Sequence, residues 1–198
     1  MVTFYLVRHG LKEPFPFDPP LTTLGVKQAE FTAEHLKSIP FKAIIASQKE
    51  RAQQTAQIIA KELKLPIQVD DRLQERLEWE NDVSFEEFIK EWNQTDINRT
   101  HQPKKGKSSI DNGKQIRKVI DENASRYKEG NVLIVTHGGT IGDLVRNLFA
   151  EDAIEHKTEP ISGAKYIDIL ECSVTVIQKE EKDHTLLTLG DISHLNSS

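Results

Sequence analysis

Two histidines stand at the ends of two hydrophobic runs. Val2-Thr3-Phe4-Tyr5-Leu6-Val7 ends in Arg8-His9-Gly10, and Val132-Leu133-Ile134-Val135 ends in Thr136-His137-Gly138-Gly139. An imidazole beside a fixed cation suits attack on a phosphoryl group, with the ring nitrogen as nucleophile and the guanidinium holding the oxygens. Two imidazoles and an arginine together make a pocket for a dianion. A further cation, Arg51, follows the apolar run Ala43-Ile44-Ile45-Ala46 and falls in the first turn of a predicted helix. The helix N-terminus is already positive there, so a cation in that place points to an anionic partner. The alternative is a solvated Arg51 paired to Glu50 or Glu34.

These residues need a scaffold that brings strand ends together. The three apolar runs read as strands, and the short run 43–46 is apolar on both faces, as in a parallel sheet. Thr22 is a candidate N-cap for a helix reaching about Ser38, with Val26, Ala29, Ala33 and Leu36 at helical spacing. Further helices are predicted over 50–63, 84–92, 113–127 and 141–149, and a short strand over 67–69. The tail alternates polar and apolar residues over 172–177 and 185–189, which predicts an antiparallel pair at the sheet edge. Strand–helix alternation predicts an α/β three-layer sandwich, a mostly parallel central sheet with helices on both faces. Ligands then bind at the C-terminal edge of the strands, where the helix after His137 would aim its N–H groups, Gly138 among them, into the same pocket. The polar segment 71–113 reads as a lid or specificity insertion in a single domain.

The chain has 198 residues, 37% hydrophobic and 29% charged, with a net charge of −5. That balance fits a globular protein and does not favour nucleic acid as a partner. Cys172 is the only cysteine, so neither an intrachain disulfide nor a cysteine-rich metal site is available. The N-terminal run lacks a preceding basic stretch and is followed at once by Arg8, unlike a signal peptide. No apolar run approaches the roughly 20 residues of a membrane helix, and a cytoplasmic location is expected.

Taken in order, Arg8-His9-Gly10, Leu21-Thr22-Thr23-Leu24-Gly25-Val26-Lys27-Gln28-Ala29, the segment from Ser47 through Arg51-Ala52 to Thr55-Ala56, Arg72-Leu73-Gln74-Glu75-Arg76 and Thr136-His137-Gly138-Gly139 resemble the successive motifs of the histidine phosphatase (phosphoglycerate mutase-like) superfamily. Gly106-Lys107-Ser108 with Arg117, and Asp191-Ile192-Ser193-His194-Leu195, resemble its later motifs. The resemblance implies a phosphohistidine on His9, with Arg8, Arg51, His137 and Gly138 around the phosphoryl oxygens. It implies Glu75 as general acid and base, a small phosphomonoester as substrate and no metal or other cofactor.

Three departures from the mutase pattern favour the phosphatase branch: Leu11-Lys12-Glu13-Pro14 after the first motif, Leu77-Glu78-Trp79 after Glu75-Arg76, and Lys107 in place of Glu. Mutase-type phosphoryl transfer and a non-catalytic phosphate-binding regulatory module are the alternative readings. Trp79, Trp92, Phe15 and Phe17 are candidates for a cleft wall or for ordinary packing. His35, His156 and His184 read as surface residues, and His194 as part of the closing motif. The basic stretch Arg99, His101, Lys104, Lys105 and Lys107 reads as a solvated loop or as an attractor for a second anionic group.

Overall fold

The computed structural model of the chain describes residues 1–15, 17–150, 154 and 169–196. A central sheet carries the strands β1 (Val2–Arg8), β2 (Phe41–Ala46), β3 (Ile67–Val69), β4 (Gly130–Thr136), β5 (Val174–Glu180) and β6 (Asp183–Asp191) in the order β3-β2-β4-β1-β5-β6. β1 to β4 run parallel, β5 lies antiparallel to β1, and β6 closes the edge antiparallel to β5. The predicted α/β architecture and the antiparallel tail are both present.

Strands β1 and β4 carry long apolar runs because both of their faces are covered. Phe4, Leu6, Val132 and Ile134 pack on one side with Ile116, Val119, Ile141 and Leu144, from α4 (Ser109–Tyr127) and α5 (Gly138–Leu148). Val7, Leu133 and Val135 pack on the other with Ala33, Leu36, Ala52, Ala56 and Ile59, from α1 (Thr23–Leu36) and α2 (Glu50–Leu63). This alternation of side chains across each strand makes the three layers.

Local signals set the helix starts. Thr22 accepts a bond from Gly25 N at 2.9 Å as the N-cap of α1. Ser84 and Glu87 form a reciprocal capping box at α3 (Phe85–Ile97). Val26, predicted on the buried stripe of α1, lies partly exposed. Three helices are longer than their patterns suggested. α4 starts at Ser109 rather than Gly113, capped by Ser108. α5 starts at Gly138 rather than Ile141, and α3 continues five residues past Trp92 to Ile97. Glycine misleads in the first two cases. A Cβ on Gly113 would lie 2.5 Å from Asp143 O, so this glycine permits a close helix crossing and breaks nothing.

Among the described residues, no helix is long and apolar enough to cross a membrane.

Candidate active site

The pairing of β1 with β4 sets Arg8 opposite Thr136, so the residues after each strand meet. His9 N donates to Thr136 O at 2.9 Å, and Ser47 N, after β2, donates to Val135 O at 3.0 Å. The rings of His9 and His137 approach edge-on, 5.2 Å between centroids. Gly10 serves proximity rather than a special turn: a Cβ there would sit 2.4 Å from Gly25 O at the start of α1. Its N–H donates to Thr55 Oγ1 at 3.1 Å, tying the loop to α2.

The proton on His9 follows from its partners. Nδ1 lies 2.8 Å from Gly10 O, which only accepts, so Nδ1 carries the hydrogen. Nε2 receives the Arg51 Nε–H at 3.2 Å, so Nε2 carries a lone pair. Burial, reinforced by the charges of Arg51 and Arg8, holds the ring well below the ordinary histidine pKa and keeps it neutral. Burial does the same to His137, again with help from Arg51. His137 Nε2 is bonded to Ser47 Oγ at 2.9 Å. Its Nδ1 and the Nε of Arg8 are buried without a hydrogen-bond partner among the described residues.

Arg51 is only 3% exposed. Its partners are neither Glu50 nor Glu34: Nη2 bonds Glu78 Oε1 at 2.8 Å and Nη1 reaches Asp18 Oδ1 at 3.4 Å. Arg8 donates to Ile169 O at 2.5 Å and pairs with Glu171. Each guanidinium in the pocket is thus held by a carboxylate. Glu78 escaped the sequence reading because an acidic run of Glu75, Glu78 and Glu80 reads as a solvated face. The structure separates the three: Glu80 pairs with surface Lys105, Glu78 with Arg51, and Glu75 turns inward.

Glu75 is bound at the start of α5, where backbone N–H groups lack helical partners. Oε2 accepts from Gly139 N at 3.0 Å, while Oε1 accepts from Arg76 N at 3.0 Å and from the Thr140 hydroxyl at 3.3 Å. Burial pushes its carboxyl above the ordinary range, with the neighbouring Arg76 opposing. A Cβ on Gly139 would meet Oε1 at 2.5 Å, so a larger residue there would displace the carboxylate. Arg76 itself is 1% exposed. It is held by Asp143 at 3.2 Å, Asp96 at 2.5 Å and Thr95 Oγ1 at 3.0 Å, with its guanidinium 4.0 Å from the centre of the Trp92 ring.

A cavity of about 470 Å³ opens over this constellation. Arg8, His9, Arg51, Glu75 and Gly138 line it, whereas His137 is fully buried beside His9 and does not. Phe15, Phe17, Trp79 and Trp92 all line it, which decides in favour of a cleft wall. Three members of the basic stretch are engaged with neighbouring groups. Lys105 pairs with Glu80 and Asp82, His101 meets Glu91 at 3.2 Å, and Arg99 donates to Arg146 O at 2.9 Å. Arg117 sits outside the cavity, 3.8 Å from Asp121. His194 bonds Thr32 Oγ1 at 3.1 Å and stacks on exposed His35, tying the closing segment to α1. His184 is not a surface residue: its side chain is 6% exposed, between Lys179 and Asp121. His156 lies outside the described residues. Cys172 is buried, and burial pushes its thiol up to about 12.

The strand ends thus gather two histidines, two arginines and a buried carboxylate beside one cleft, a set of groups suited to a phosphoryl group. Residues 4–192 match the model of the histidine phosphatase superfamily (branch 1), and the chain belongs to that family. A probable phosphoglycerate mutase GpmB from Proteus mirabilis is 26% identical over 98% of this chain and 95% of its own length. Bacillus stearothermophilus YhfR superposes with a TM-score of 0.75, at 26% identity over 98% of this chain and 100% of that one. A phosphoserine phosphatase mutant from Entamoeba histolytica, in complex with phosphoserine, shares the fold with a TM-score of 0.76 at 21% identity, over 98% of this chain and 100% of that one. The relatives named here thus include a probable mutase and a phosphatase.

Proposed function

We propose that the chain is a phosphomonoester hydrolase that works through a phosphohistidine on His9. The observation that carries this reading is the fixed tautomer of His9. Its N–H is turned to Gly10 O, so the lone pair of a neutral Nε2 faces Arg51 in the cavity. In the first step Nε2 attacks phosphorus and the bond to the ester oxygen breaks. The Glu75 carboxyl, kept protonated more readily by burial, gives its proton to the departing oxygen. In the second step the Glu75 carboxylate takes a proton from water, the water oxygen attacks phosphorus, and the N–P bond breaks to release phosphate. Arg8, Arg51, His137 and the N–H groups at Gly138 hold the phosphoryl oxygens as charge builds. Arg8 Nε and His137 Nδ1, without partners among the described residues, have hydrogen-bonding capacity for them. The whole chain is one such domain, in which the segment 71–113 is the specificity insertion, and its α3 supplies Phe88 and Trp92 to the cavity.

A second reading, phosphoryl return to another oxygen of the same substrate, is favoured by the name of the Proteus mirabilis relative. Following monophosphoglycerates by phosphorus NMR separates the two. Hydrolysis predicts inorganic phosphate as the product across a monoester panel. Isomerisation without phosphate release would refute it.

A further inference from the structure

The outer half of the cavity is aromatic, and its charges are already spent on one another. Helix α3 carries Phe85, Phe88, Ile89 and Trp92 at positions i, i+3, i+4 and i+7, one continuous apolar stripe. Such a stripe ordinarily packs into a core, yet Thr95 is the only buried residue of this helix. The stripe faces the cavity instead, and Phe85 remains 55% exposed. Trp79 extends it, with its ring 5.0 Å from that of Phe85. Phe17 also lines the cavity, held at a φ of 68°, a left-handed conformation that bulky residues seldom adopt, with its N–H donating to Trp79 O at 2.8 Å. The segment carrying Phe17 is thus tied to the one carrying Trp79.

The electrostatics point the same way. Beyond Arg8, Arg51 and Lys12 at the phosphoryl end, the lining cations are Arg76 and Arg146, and both are ion-paired with Asp96 and Asp143. Glu78 and Asp96 add negative charge to the lining. A substrate with a second phosphate or a carboxylate finds no open cation in this outer half among the described residues. A desolvated aromatic body finds several rings.

Resting on the phosphohydrolase reading, we propose that the substrate is a phosphate monoester of an alcohol with an aromatic or bulky apolar body. The test compares kcat/KM for phenethyl phosphate, ethyl phosphate and phosphoglycerate. The first two leave as primary alkoxides of similar basicity, so they differ chiefly in the apolar body. Phenethyl phosphate is expected to exceed ethyl phosphate by about 10- to 100-fold, the gain of burying one phenyl ring, and phosphoglycerate is expected to do no better than ethyl phosphate. Phe85→Ala and Phe88→Ala should each shrink the phenethyl-to-ethyl ratio. A ratio within about twofold of unity, or a preference for phosphoglycerate, overturns the proposal. Binding of phenethylphosphonate against ethylphosphonate to the His9→Ala protein supplies the same contrast without turnover. Tighter phenethyl binding with no hydrolysis by the intact chain would overturn the hydrolase reading alone. Equal binding would overturn the substrate class whatever the chemistry.

Discussion

Replacing Glu75 with Gln separates the two steps of the proposed reaction. The substitution keeps the shape of a side chain fixed by Gly139 N, Arg76 N and Thr140 Oγ1 at 3.0 to 3.3 Å. Gln has one acceptor oxygen where Glu has two, so its amide must turn an N–H toward one of these donors and lose that bond. The stability cost is about 1–3 kcal/mol, small enough for the variant to fold. The catalytic cost is larger. A positioned acid contributes about 10²–10⁴ in rate, or roughly 3–5 kcal/mol of barrier, and the amide has no acidic proton to give. Alkyl phosphate turnover should therefore fall by that factor.

With nitrophenyl phosphate the leaving oxygen needs little protonation, so the first step is spared while the second, which needs the base, remains slow. Stopped-flow absorbance should then show a burst of nitrophenolate stoichiometric with enzyme, followed by a slow steady state. The alkaline limb of the alkyl-ester kcat profile, set by a Glu75 carboxyl that burial raises above its ordinary value, should disappear in the same variant. Wild-type-like turnover of alkyl esters by Glu75→Gln, or an equal loss in the burst and in the steady state, would refute the assignment.

Three other perturbations follow from the same geometry. Glu78 holds Arg51 at 2.8 Å where a phosphoryl group would compete, so Glu78→Gln should tighten competitive inhibition by inorganic phosphate about 3- to 10-fold; unchanged or weaker inhibition contradicts this. Arg76→Ala strips one partner from fully buried Asp143, and urea unfolding should register a loss of about 3 kcal/mol. His9 and His137 are held well below 6.5 in the folded chain. The unfolded chain therefore binds more protons below pH 6.5, and stability falls as the pH drops, by up to about 1.4 kcal/mol per pH unit for each ring. His137→Asn should flatten that slope by one such increment in urea titrations, and an unchanged slope would show that the ring is not held neutral.

Much of the site is legible in the sequence because parallel strands place their C-terminal ends side by side. Two apolar runs ending in His9 and His137 already imply the imidazole pair, and Arg51 declares itself by an unfavourable place at a helix start. Geometry that depends on contacts between distant elements is not legible in this way. Gly113 and Gly139 read as breaks in local pattern. They sit inside helices because Asp143 O and the Glu75 carboxylate come within 2.5 Å of where a Cβ would be. Glu78 reads as one more solvated acid until the fold brings α2 against it. The stripe Phe85, Phe88, Ile89 and Trp92 has the period of a core-facing helix, and periodicity alone does not tell a core from a cavity.

In the proposed reaction His9 Nε2 accepts the phosphoryl group. Rapid acid-free quenching after mixing with a phosphorus-32-labelled monoester, followed by peptide mapping, tests it directly. The label is expected on His9, stable in base and lost in acid, and absent from His9→Ala together with all turnover. Continued hydrolysis by a pure His9→Ala protein, or a label on any other residue, would contradict it.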